Sequence, residues 1–173
     1  FSPDNTKLAT CSDDDHAARI WDVHSGKQLA VLRHECIVNA LVFHPNGEQL
    51  ATAGDDGSVR LWNADSGRLA QTLGEHEAAA NAVVFNRAGT MLASAGDDAK
   101  VNLWKLETLE LSSQYEHDAA VNALAFSPDG AKLATASNDA TSRLWDIAGG
   151  GRPLIVEHDG AVNSVAFSPD GRQ

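Results

Sequence analysis

Seven histidines stand among 24 acidic residues in this 173-residue chain. Imidazole beside carboxylate is the raw material of metal binding and of acid–base catalysis. His34-Glu35 and His76-Glu77 each begin the His-Glu-x-x-His pattern that holds zinc on a helix, but the second His is missing from both. Asp13-Asp14-Asp15-His16 offers hard oxygen donors of the kind that take a divalent cation, and reads equally as an acidic hairpin turn. The sequence contains no glycine-rich phosphate loop, no nucleophile elbow and no Cys-x-x-Cys pair. The expectation is a chain with no cofactor, no metal and no catalytic centre, built to bind.

The histidines matter more for their period than for their chemistry. His34, His76, His117 and His158 are 42, 41 and 41 residues apart. Trp21, Trp62, Trp104 and Trp145 are separated by 41, 42 and 41. Phe1, Phe43, Phe85, Phe126 and Phe167 keep the same period, and each of the first three His stands 28 residues before a Trp. Three residue types that hold one period at fixed mutual offsets define a tandem repeat. The array is one domain over 1–173, with units at about 1–42, 43–84, 85–125 and 126–166, and the start of another at 167–173.

The texture within a unit is β. In the second, Val38 to Phe43, Gln49 to Ala53, Val59 to Trp62 and Leu69 to Leu73 read as short strands separated by turns such as His44-Pro45-Asn46-Gly47 and Gly54-Asp55-Asp56-Gly57. The inner strands are apolar at most positions, as in a sheet covered on both faces. The fourth strand is the poorest, and Pro153 at the start of one copy suits an outer edge. Sixteen strands are expected: strands two to four of one sheet at the start, three complete sheets, and the first strand of another at the end.

Composition limits the partners. The formal charge is −11, which opposes nucleic acid, whose recognition needs Lys and Arg to displace counterions, and opposes anionic membranes. The chain has no apolar run of the ~18 residues needed to cross a membrane as a helix. It opens on Phe1-Ser2-Pro3-Asp4 with neither initiator Met nor signal peptide, and reads as a piece of something longer. Cys11 and Cys36 are too few for a disulfide framework and read as reduced thiols, which points to the cytoplasm.

Four strands per unit, a His near the start and Trp-Asp near the end resemble the WD40 repeat of β-propellers. Trp21-Asp22 and Trp145-Asp146 keep the dipeptide, whereas Trp62-Asn63 and Trp104-Lys105 vary it. Phe126-Ser127-Pro128-Asp129-Gly130, repeated from Phe167 to Gly171, resembles the bacterial branch of the family. The resemblance implies all-β blades of four antiparallel strands, about four of them, in a larger propeller or a multi-chain ring. It also implies a structural hydrogen-bond set in each blade. These are His34, Thr52, Asp56 and Trp62; His76, Ser94, Asp98 and Trp104; and His117, Thr135, Asp139 and Trp145. The first unit has Thr10, Trp21 and, by offset, Asp15, with Asp14 as the alternative, but no local His; His158 could complete that set if the ends meet.

The family docks partners on the surface around the central channel. The matching positions are Asn39, Asn81, Asn122 and Asn163 at the entry to strand one, and Asp14, Asp55, Asp97 and Asn138 before the structural acid, with Ile37 the apolar exception nearby. The resemblance thus implies a non-catalytic scaffold for protein partners, with self-association to close a larger ring as a possibility. The alternative is an architectural or sensor segment of a larger bacterial signalling protein.

Overall fold

The short apolar runs form strands where a neighbouring strand pairs with them, and the flanking Gly, Asn and Asp turn the chain between them. The computed structural model describes residues 1–12 and 16–171, so the expectations placed on Asp14 and Asp15 lie outside the described residues. The strands are β1 (Lys7–Ser12), β2 (Ala17–Asp22), β3 (Gln28–Arg33), β4 (Val38–Phe43), β5 (Gln49–Gly54), β6 (Ser58–Asn63), β7 (Leu69–Glu75) and β8 (Ala80–Phe85). They continue as β9 (Met91–Gly96), β10 (Lys100–Lys105), β11 (Glu110–Glu116), β12 (Val121–Phe126), β13 (Lys132–Ser137), β14 (Thr141–Asp146) and β15 (Leu154–Glu157).

All pairings are antiparallel and follow chain order. One sheet of three strands, β1-β2-β3, is followed by three sheets of four: β4 to β7, β8 to β11 and β12 to β15. The first strand of each complete sheet packs against that of the next, β4 on β8 and β8 on β12. The fourth strands β7, β11 and β15 are outer edges, exposed along most of their length. The expected sixteenth strand does not form: residues 162–167 carry the right side chains but pair with no strand among the described residues. A strand exists only against a hydrogen-bonding neighbour, and β1, which lacks a first strand, begins the other end of an open arc.

The core lies between sheets. Trp62, Phe43 and Leu50 pack against Ile20, Leu32 and Ala30 of the preceding sheet. Trp104 and Leu92 meet Val59 and Leu61 in the same way, and Trp145 and Leu133 meet Val101 and Leu103. The second strands of the complete sheets are therefore buried on both faces, β5, β9 and β13 along all but their first residue. Small residues permit the close approach: a Cβ on Gly74 would stand 2.4 Å from the Trp104 ring.

Truncating a residue at such a seam removes transfer free energy and leaves a cavity. Leu92, fully buried, is expected to cost about 2–5 kcal/mol as Leu92→Ala. Leu69→Ala, on an outer strand, should stay within about 0.5 kcal/mol of the parent. Urea unfolding of the two variants checks both values.

Candidate functional site

Two regions gather polar side chains, one between the blades and one at the mouth of the arc. The first is a hydrogen-bonded line through each interior blade. In the third sheet Trp104 Nε1 donates to Ser94 Oγ at 3.3 Å, Ser94 Oγ lies 2.9 Å from His76 Nε2, and His76 Nδ1 lies 2.9 Å from Asp98 Oδ1. In the fourth the same distances are 3.1 Å from Trp145 to Thr135, 2.7 Å from Thr135 to His117 Nε2, and 2.8 Å from His117 Nδ1 to Asp139. An ionised carboxylate can only accept, so the Nδ1 atoms carry the protons. Nε2 is then bare and accepts from the hydroxyl, whose oxygen accepts in turn from the indole.

The acid closes the line and pins its own loop. Asp98 also accepts from the amides of Glu77 and Lys100, and Asp139 from those of Asp118 and Thr141. Burial opposes ionisation of Asp139, but bonds from Thr141, His117 and the two amides outweigh it and hold the carboxyl well below the usual range. Asp98 is lowered by the same balance, with His76 its strongest donor. Burial pushes the His117 imidazole down, and keeps it neutral.

The second sheet departs from this scheme. Trp62 donates to Thr52 at 2.9 Å, but His34 does not bond Asp56. Arg60 stands between them, with Nη2 2.6 Å from Asp56 and Nη1 3.3 Å from His34 Nδ1. A guanidinium only donates, so Nδ1 of His34 accepts and the proton sits on Nε2. That buried atom has no partner among the described residues. Burial, helped by the Arg60 charge, lowers His34 to about 4. Burial also opposes ionisation of Asp56, yet Arg60 and the Ser58 amide hold its carboxyl at about 2. In the first sheet Trp21 donates to Thr10 at 2.9 Å. The structure does not bring His158 to that pair: it is exposed at the far end of the arc, 3.2 Å from Ser142 Oγ.

The residue two before each Trp also enters the line, a position that recurrent arginine marks in the sequence. Arg19, Arg60, Asn102 and Arg143 occupy it in turn. Arg143 bonds Asp139 and Asp118 without displacing His117, and Asn102 reaches His76 Nε2 at 3.4 Å.

Ser94, His76 and Asp98 have the connectivity of a hydrolytic triad. Ser94 and Thr135 are nevertheless fully buried beneath the seam, and each oxygen already receives an indole N–H. No substrate carbonyl reaches them without parting two blades. Among the described residues, no three His, Cys, Asp or Glu side chains converge as a metal site would require.

The second region is the ring expected to meet a partner. A bulge in the first strand of each complete sheet presents an asparagine. Asn39 donates to Asp55 at 2.8 Å and to the Ala80 carbonyl of the next sheet at 3.1 Å. Asn81 bonds Asp97 at 2.6 Å and Val121 O at 3.5 Å; Asn122 bonds Asn138 at 2.7 Å and Val162 O at 2.9 Å. The asparagines thus strap each hairpin to the following blade. Asp55, Asp97 and Asn138 remain exposed, and their amides donate to Ile37, Ala79 and Ala120. Asn163 is exposed, and Ile37 is half-buried.

Repeated antiparallel sheets, each sealed to the next through a buried tryptophan and strapped at the inner end, define the blades of a β-propeller, here in an open arc. The family signature "WD domain, G-beta repeat" matches residues 1–22, 26–63, 67–105, 109–146 and 151–173, so the chain belongs to the WD40-repeat family. Similar proteins include a guanine nucleotide-binding protein subunit beta from Solanum tuberosum, 36% identical over 77 residues, which are 43% of this chain and 20% of that protein. The small ribosomal subunit protein RACK1 of Drosophila melanogaster is 40% identical over 62 residues, 36% of this chain and 19% of its own length. Periodic tryptophan protein 2 of Arabidopsis thaliana is 36% identical over 74 residues, 42% of this chain and 8% of its own. The chain therefore matches a fifth or less of each of these relatives.

Two outcomes follow from the polar lines. Ser94→Ala leaves the buried Trp104 indole N–H without its acceptor and His76 Nε2 with only the 3.4 Å contact to Asn102, and should cost about 1–3 kcal/mol; Thr10→Ala, at an exposed site, should cost less than half as much in urea unfolding. His34 is neutral in the folded chain down to about 4 and in the unfolded chain to 6.5. The unfolded state thus binds more protons between these values, and stability falls as pH drops through that window. His34→Gln should make the urea midpoint fall less steeply from pH 6.5 to 4.

Proposed function

We propose that the chain is a non-catalytic scaffold for protein–protein interaction, and that the mouth of the arc receives a basic segment of a partner. The observation that carries this reading is the pair of exposed carboxylates, Asp55 and Asp97, held in position by Asn39 and Asn81. Fixed acidic groups on a chain of net charge −11 favour a cationic ligand and speed its encounter. The same charge disfavours nucleic acid and anionic lipid as ligands. One relative is named as a subunit of a guanine nucleotide-binding protein and another as a protein of the small ribosomal subunit, which supports a role in assemblies. The reading places the chain in the cytoplasm, and includes association with further copies to close a larger ring.

A second reading has its own support. The ring asparagines are occupied in strapping blades together, and the ring is nearly the same from blade to blade. Both features suit an architectural or sensor segment within a larger bacterial signalling protein, with no site of its own here. The double variant Asp55→Lys/Asp97→Lys separates the two. Pull-down from lysate should lose a basic partner retained by the parent chain. Unchanged capture would remove the acidic-ring reading and leave the architectural one.

A further inference from the structure

Two residues before the structural acids stand Gly54, Gly96 and Ser137, and the space over that backbone is filled differently in each of the three blades. In the third blade, a Cβ on Gly96 would stand 3.2 Å from His76 Nδ1 and 3.3 Å from Asp98 Oδ1, the two atoms that bond each other. In the fourth, Ser137 fills the space with its own hydroxyl, which donates to the carbonyls of Ala119 and Ala120 at 3.0 Å and accepts from the Asp139 amide at 3.1 Å. That proton goes to the loop, and Asp139 is left to accept from His117. In the second, a Cβ on Gly54 would stand 2.8 Å from Cys36 Sγ and 3.0 Å from Asp56 Oδ1. The sulfur holds the place that the imidazole nitrogen holds in the third blade.

The residues that match Cys36 in the third and fourth blades are Ala78 and Ala119. The Cys36 thiol bonds both the Asp56 carboxylate and Arg60. Burial pushes the thiol up, so at neutral pH it is a protonated donor, and a carboxylate is its acceptor. The acid that accepts from His76 and His117 in the other blades is here engaged by the thiol and twice by Arg60. An arginine alone does not displace the imidazole. Arg143 shares Asp139 with His117 while it also reaches Asp118 and the Glu116 carbonyl. Glu35 and Arg33 stand at the matching positions of the second blade, so the sequence offers Arg60 the same arrangement.

We infer that the Cys36 thiol is the selector of a two-position element in the second blade. With the thiol over Gly54, Asp56 holds Arg60, and His34 keeps a buried nitrogen unpaired among the described residues. Without it, His34 Nδ1 moves onto Asp56, Nε2 takes the Thr52 hydroxyl, and Arg60 extends to Glu35, as in the fourth blade. Two packings of one segment that differ little in free energy let a small local change become a conformational one. The element lies directly behind the mouth of the arc. Gly54 runs into Asp55, whose amide donates at 2.9 Å to the carbonyl of Ile37, the residue after Cys36. The loop and the hairpin that meet at the sulfur are therefore the two segments that hold this mouth carboxylate.

The test is long-range proton–nitrogen NMR of the histidine rings at neutral pH in two variants of the whole chain. Cys36→Ala installs the alanine that the third blade already combines with a glycine. The expected result is that the His34 proton moves from Nε2 to Nδ1. Ala119→Cys/Ser137→Gly carries the thiol and its gap to the fourth blade, where Arg143 is already in place, and should move the His117 proton from Nδ1 to Nε2. A His34 ring that stays protonated on Nε2 without the thiol overturns the selector and leaves Arg60 as the sole cause. A His117 ring that keeps its Nδ1 proton in the double variant overturns it equally, and decides the matter if Cys36→Ala does not fold. A parent chain whose His34 already carries its proton on Nδ1 overturns it at the outset.

Discussion

A tryptophan cannot be buried at a seam unless its indole N–H is given an acceptor. Every blade of this protein is arranged around that requirement. The ring supplies apolar area to the seam, and its nitrogen demands a hydroxyl one strand away, 2.9 Å off in Thr52 and 3.1 Å in Thr135. In the third and fourth blades the hydroxyl proton is accepted in turn by an imidazole nitrogen arriving from the loop before the first strand. The second imidazole nitrogen needs a carboxylate, which comes from the hairpin between strands two and three. One apolar burial thus ties three turns of chain to one point. Leaving any member unpaired costs about 1–3 kcal/mol.

The second blade shows how narrow the constraint is. Arg60 competes for Asp56, wins by charge and by two bonds, and leaves His34 with a buried nitrogen unpaired among the described residues. The fourth blade also has an arginine two residues before its Trp, yet Arg143 is drawn toward Asp118 and the Glu116 carbonyl, and His117 keeps its acid. The difference lies in where the guanidinium finds its other partners. The same economy holds at the mouth of the arc, where side chains that looked available for a ligand serve as straps between blades.

Much of this was legible in the sequence. The period of His, Phe and Trp located the blades, and short apolar runs between Gly, Asn and Asp located the strands. The members of the third and fourth sets were named from their offsets, and the structure brings those residues together. Three features were not legible. The displacement of His34 by Arg60 depends on side-chain competition that spacing does not encode. The use of Asn39, Asn81 and Asn122 as straps depends on a carbonyl about 41 residues later in sequence, visible only when the blades are stacked. Residues 162–167 have the composition of a first strand yet pair with no strand among the described residues, a difference that composition does not encode. What the arc holds is the least legible, because the hairpin carboxylates repeat almost unchanged while recognition of one partner needs a difference.

The central claim is that the indole, hydroxyl, imidazole and carboxylate form a directed line, with an imidazole proton on the side of the acid. Long-range proton–nitrogen NMR of the histidine rings at neutral pH tests it most directly. The account predicts that His76 and His117 carry their protons on Nδ1 and that His34 carries its proton on Nε2. A ring protonated on Nε2 alone at His76 or His117, or a doubly protonated ring at His117, would contradict it.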